Sequence, residues 1–151
     1  MKKIVFSLGL SLTVLAGCST TPQSEVNSHN SKLLTVEFIG NGSYRVPQQQ
    51  GTVSLYALET RMADAPATLI QQKKVEVSQV PFSVDFKIPA DHKKLIRPQL
   101  KQGAEITYYV TWESDVTTQT VKDSIKIDYD RKFPRVALDS GKQQVYLIES
   151  K

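Results

Sequence analysis

The sequence predicts an all-β protein, an antiparallel β-sandwich or partly open barrel of seven to eight short strands. Three observations carry that prediction. Apolar and polar residues alternate cleanly: Phe82, Val84, Phe86 and Ile88 stand against Ser83, Asp85 and Lys87, and Ile106, Tyr108, Val110 and Trp112 against Glu105, Thr107, Tyr109 and Thr111. A period of two is the pattern of a strand with one packed face and one wet face. The breaks between such stretches carry turn formers, namely Asn41-Gly42, Pro47, Gly103 and Asp139-Ser140-Gly141. No long amphipathic helix competes with the strands. The best candidate, residues 90–96, is stopped by Pro98 and amounts to a turn or two.

Before the strands comes a different kind of sequence. Met1-Lys2-Lys3 is positive, and residues 4–14 (IVFSLGLSLTV) are apolar or weakly polar throughout. Together they read as the first two regions of a bacterial secretory signal. The apolar run is too short to span a bilayer, which takes about 20 helical residues. Leu15-Ala16-Gly17-Cys18 follows, and Cys18 is the single cysteine of the chain. This tetrapeptide resembles the lipobox of bacterial lipoproteins. Small residues at Ala16 and Gly17 suit an extended backbone in a peptidase groove, and the thiol is the nucleophile that accepts the lipid. The resemblance implies cleavage between Gly17 and Cys18, an S-diacylglycerol on Cys18 and a fatty acyl group (palmitate) on its amino terminus. An ordinary signal with an incidental cysteine is the weaker competing reading. Each buried methylene contributes about 0.8 kcal/mol, and more than one acyl chain makes anchoring stable. Ser19 stands where an Asp tends to retain lipoproteins in the inner membrane of enteric-type bacteria, so the expected address is the outer membrane, with the β-domain facing the periplasm.

The expected organisation is therefore a signal peptide over residues 1–17, a lipidated cysteine and flexible tether over 18–32, and a β-domain over 33–151. The tether, STTPQSEVNSHNSK after the cysteine, offers one apolar side chain, Val26, and cannot bury enough surface to order itself. It could reach about 46–50 Å when stretched and roughly 20 Å as a coil. Loss of Lys2 and Lys3 with the signal lowers the formal net charge from +4 to +2, too small an excess to argue for nucleic acid. With Cys18 acylated no internal disulfide can form, so stability must come from packing.

In order, the expected strands are residues 34–39, 52–58, 69–77, 82–88, 105–112, 118–127, 135–138 and 144–148. All are rich in Val, Ile, Thr, Tyr or Phe. Chemistry is hard to place on them. His29 falls in the tether and His92 in a Lys-rich turn, where solvent is the expected surrounding for both, and no Cys–His cluster suggests zinc. No Gly-x-Ser-x-Gly elbow is present, and a Ser-His-Asp triad would need one of those two histidines. The acid pairs Glu113/Asp115 and Asp128/Asp130 lie at strand ends and read as solvated turn acids. Two basic clusters, Lys93/Lys94/Arg97 and Arg131/Lys132/Arg135, read first as solvated surface and second as contacts for anionic headgroups or an acidic segment. The residues point to a binding or structural module and not to an enzyme, with no metal and no cofactor beyond the lipid.

The central stretch adds more. VPQQQGTVSLYALE (46–59) is followed by TRMADAPATLIQQKKVEV (60–77) and VPFSVDFKIPADHKKLIRPQLKQGAEITYYVTW (80–112). A strand, an Ala63-Asp64-Ala65-Pro66 link, a second strand, then Pro81-Phe82-Ser83 with alternating apolar residues form a series. The series resembles the YscW/YbaY-like family of outer-membrane lipoproteins, over about half of the chain that remains after the signal. Pro66 holds Ala65 extended before the next strand, and Asp64 suits a turn. The resemblance implies a pilotin-like chaperone, which binds a secretin subunit of a secretion system and aids its outer-membrane targeting and assembly. The alternative is a structural or ligand-binding envelope lipoprotein with no such client. Tyr56, Tyr109 and Tyr146 on the wet faces are candidate partner contacts. For each of them taken singly, packing within the sheet is the competing expectation.

Overall fold

The computed structural model describes residues 31–62, 64–115 and 124–150. Eight strands form two four-stranded sheets: β1 (Lys32–Ile39), β2 (Tyr44–Glu59), β3 (Thr68–Val80), β4 (Phe82–Ile88), β5 (Ile106–Ser114), β6 (Ile125–Ile127), β7 (Arg135–Val136) and β8 (Lys142–Glu149). One sheet has the order β4-β1-β8-β6, the other β3-β2-β5-β7. The fold is the expected β-sandwich. Neighbours pair antiparallel with one exception among the described strands: β1 and β8 run parallel, Thr35 against Lys142 through Ile39 against Tyr146.

The period-two stretches do what their pattern dictates. Leu34, Val36 and Phe38 of β1 and Val84, Phe86 and Ile88 of β4 point inward and are buried. They meet Val53 and Leu55 of β2, Val110 and Trp112 of β5, and Val145 and Leu147 of β8 in one apolar cluster. Phe82 stacks on Phe38 with ring centroids 4.8 Å apart and tilts against Trp112 at 5.6 Å, so aromatic contacts cross from one sheet to the other. Gly51 lies under the Trp112 ring, where a Cβ would collide with the indole and with the Glu113 carbonyl.

Pro47 does not end its strand, as its sequence context suggested. Val46, Pro47 and Gln48 stand against Ser78 alone, and β2 runs on through this bulge. A bulge is where a residue without an N–H fits in a ladder. Pro81 marks the corner at which the chain leaves β3 in one sheet for β4 in the other, following a cis peptide after Val80. The expected strand over 118–127 is seen as Ile125–Ile127, while residues 116–123 lie outside the described residues. The expected strand over 135–138 shortens to two residues.

The helix candidate at 90–96 is a single 3-10 turn, His92–Leu95. His92 itself corrects the expectation of a solvated side chain. It is only 6% exposed. Its Nδ1 meets the Pro89 carbonyl at 2.7 Å and its Nε2 meets the Tyr108 hydroxyl at 2.8 Å. Because a carbonyl accepts only, Nδ1 carries the proton and donates, and in the neutral ring the Tyr108 hydroxyl donates to Nε2. Two bonds therefore satisfy both ring nitrogens, and that is what permits burial in a Lys-rich turn.

Candidate partner-binding surface

The outer face of the β3-β2-β5-β7 sheet carries a row of directly opposed side chains. The register pairs Leu69 of β3 with Tyr56 of β2, Tyr56 with Tyr109 of β5, and Tyr109 with Arg135 of β7. The row thus crosses all four strands. Tyr56 and Tyr109 stack with centroids 5.5 Å apart and an interplanar angle of 18°. Phe133, just ahead of β7, tilts against Tyr109 at 5.5 Å, and Tyr129 tilts against Phe133 at 6.2 Å. The Arg135 guanidinium sits 5.8 Å from the Phe133 ring centre.

Much of this row faces water. Leu69 is 42% exposed, Phe133 47% and Tyr129 55%. Contiguous exposed apolar surface of this kind is what distinguishes a binding patch from scattered surface hydrophobics. Burial raises the Tyr109 phenol above its ordinary pKa, and the neighbouring Tyr56 and Tyr129 phenols push it the same way. The row thus combines flat apolar rings with phenol hydroxyls, a mix suited to interfaces. Beside the row lies a groove of about 290 Å³ with Leu58, Ala65, Ala67 and Thr107 along it and Tyr109 and Phe133 as walls.

The sequence-based candidates divide. Tyr56 and Tyr109 meet in the row. Tyr146 does not join them: it lies on the outer side of β8 in the other sheet, with the Arg131 guanidinium 3.9 Å from its ring centre. Arg131 also donates to Asn41 Oδ1 at 2.9 Å, and its backbone N–H is taken by Asp128 Oδ1 at 3.1 Å. The basic cluster Arg131/Lys132/Arg135 is accordingly split between the two sheets. Leu69, Tyr129 and Phe133 were not singled out from the sequence. The β2–β3 and β5–β7 registers bring them to the tyrosines, and no local motif encodes a register across a loop.

The linking motif contributes structure around the groove. Met62 N–H donates to Glu59 O and Ala65 N–H to Met62 O, each at 2.9 Å, which folds the chain back after β2. Ala65 then lines the groove, while Pro66 precedes β3. Ala63 lies outside the described residues, as do Gly17 and Cys18. Ser83 is on the wet side of β4 opposite Glu37, and Pro81 and Phe82 set the corner and the inner stack. Among the described residues no group of three or more His, Cys, Asp or Glu is placed to hold a metal, and no helix is long and apolar enough to cross a membrane.

No protein-family model matches the chain, and no curated protein sequence matches it. Among solved structures the fold is similar to an alternative pilotin from the type II secretion system of Vibrio cholerae, with a TM-score of 0.53 and 19% identity over 81% of this chain and 99% of that one.

Proposed function

We propose that the protein is a pilotin-like lipoprotein of the YscW/YbaY kind, anchored through acylated Cys18 in the outer membrane. In this reading its sandwich holds a segment of a secretion-system subunit, of which a secretin is the first candidate. The observation that carries it is the row Leu69–Tyr56–Tyr109–Phe133. It offers apolar contact to a client across a whole sheet. The β3 edge of the same sheet is a poorer candidate, because β3 carries Lys73 and Lys74 next to each other and charged edges discourage strand addition. Similarity in fold to a type II secretion pilotin supports the reading, and so does the lipobox-like Leu15-Ala16-Gly17-Cys18 followed by Ser19.

The proposed mechanism is attachment. A partly disordered client segment orders on the row, offsetting its loss of freedom with buried aromatic surface. The acyl chains then decide where the complex travels. The test is deletion of the gene followed by membrane fractionation of each secretin. Loss of secretin multimers from the outer membrane supports the reading. If every secretin still arrives there as a multimer, the protein is instead an envelope lipoprotein with another ligand.

A further inference from the structure

The end of the sandwich at which β1 begins carries a cationic surface of its own. Lys93, Lys94 and Arg97 line a cleft of about 590 Å³ together with Gln99 and Leu100, and no carboxylate lines it. Among the described residues the ion pair joins Lys142 to Glu37 at 2.8 Å, and none of these three cations has a carboxylate partner. Asp91 is the nearest acid along the chain.

This surface is held rigidly. His92 ties one side of the turn to Pro89 and Tyr108. On the other side the backbone N–H of Arg97 donates to Thr68 Oγ1 at 2.8 Å, and Arg97 Nη1 donates to the carbonyls of Lys94 at 2.7 Å and Ile96 at 3.0 Å. Ile96 is fully buried, while Leu95 beside it is 49% exposed.

The β1–β4 register fixes the position of the cluster. Lys32, the first residue of β1, is the antiparallel partner of Ile88, the last of β4, and the basic turn begins four residues after Ile88. The chain that comes from Cys18 therefore reaches the sandwich at the end where Lys93, Lys94 and Arg97 sit. Leu33 and Lys87 pair at this same end, with Leu33 61% exposed. Cations interspersed with exposed leucines beside a lipid anchor are the composition of a surface that rests on anionic headgroups.

We propose that this end of the sandwich docks on the anionic phospholipid surface of the leaflet that holds the anchor. Lys93, Lys94 and Arg97 contact phosphates, and Leu33 and Leu95 reach the headgroup boundary. The tyrosine row opens at Leu69, next to the Thr68 that bonds Arg97, so it lies on the sheet face beside this end. Placement of this end nearest the bilayer rests on the acylation of Cys18 proposed above, but the cationic surface itself can be tested without it. Every strand and the whole described core lie within residues 32–149, so a chain starting at Ser19 keeps the fold and lacks the lipid.

The experiment is co-sedimentation of that chain with vesicles of phosphatidylethanolamine and phosphatidylglycerol, against vesicles of phosphatidylcholine alone, at low salt. Binding to the anionic vesicles only is expected. The Lys93→Gln/Lys94→Gln variant, whose changed side chains face solvent, should bind them about twenty-five-fold less, at roughly fivefold per cation removed. Leu95→Ser should weaken binding without altering its salt dependence. Equal binding to both vesicle types, or an unchanged affinity of the double lysine variant, overturns docking. Polyglutamate binding at least as tight as vesicle binding also overturns it and makes the cluster a site for an acidic protein segment. An unacylated Cys18 in the mass of the full chain would remove the anchor and leave the vesicle result readable.

Discussion

The indole Nε1 of Trp112 donates to the carbonyl oxygen of Ile125 at 2.9 Å. Trp112 belongs to the β3-β2-β5-β7 sheet and Ile125 to the other, so the bond ties the two layers together through the core. Trp112→Phe keeps an aromatic ring and leaves that carbonyl without its donor. The expected cost is about 1–3 kcal/mol, the range for stranding a buried polar group. Urea denaturation measures it. An unchanged midpoint would mean that water replaces the indole.

Gly51 and Trp112 form a second coupled pair. A methyl group on Gly51 meets the indole and the Glu113 carbonyl, so Gly51→Ala should cost about 1–3 kcal/mol by overpacking. In the Trp112→Phe background the ring is shorter and the same substitution should cost less. A double-mutant cycle reads the difference, and strictly additive costs would show that the backbone contact alone sets the penalty.

Alkaline pH should act on the bond between Tyr108 and His92. Burial raises the Tyr108 phenol above its ordinary pKa. The folded state thus holds that proton more tightly than the unfolded chain does. Its contribution to stability is complete below about pH 10, the unfolded value, and is lost as pH rises through the higher folded value. Tyr44 and Tyr109 are shifted in the same direction. Tyr108→Phe should lower stability at neutral pH, by leaving His92 Nε2 unpaired, yet make the decline above about pH 10 shallower. Chemical denaturation at a series of pH values decides it, and an unaltered alkaline slope counts against the assignment.

The proposed acylation of Cys18 makes a separate prediction. The mature chain should begin at Cys18 with its mass raised by a diacylglycerol and an amide-linked acyl group. Ser19→Asp should shift the protein towards the inner membrane in an enteric-type host. Density fractionation with intact-mass spectrometry checks both, and a mature chain without added lipid mass rules out the anchor.

The strands and the core were legible from residues because period-two alternation is a local signal. Val84, Phe86 and Ile88 are buried as their alternation required. Trp112 also packs inward, although nothing local could place Gly51 beneath it. The buried state of His92 escaped the sequence, since Lys93 and Lys94 make its surroundings polar while its two hydrogen bonds reach Pro89 and, from a distant strand, Tyr108. Tyr56 and Tyr109 stood out as aromatics on wet faces. Their meeting follows from the β2–β5 register, and the arrival of Leu69 follows from the β2–β3 register, where Ile70 bulges out of the ladder. Register is fixed by the whole sheet. Tyr146 had the same local character and went to the opposite layer.

The most direct measurement is the secretin multimer recovered from the outer membrane of a deletion strain that carries the Tyr56→Ser/Phe133→Ser variant in place of the wild type. Both side chains lie on the outer face, so the variant should still fold and accumulate, with each of the three broken aromatic contacts costing about 0.5–1.5 kcal/mol. If the row holds the client, secretin multimers disappear from the outer membrane while the lipoprotein itself is still found there. Wild-type multimer levels with this variant, in a strain where deletion abolishes them, would contradict the assignment of the row as the client-binding surface.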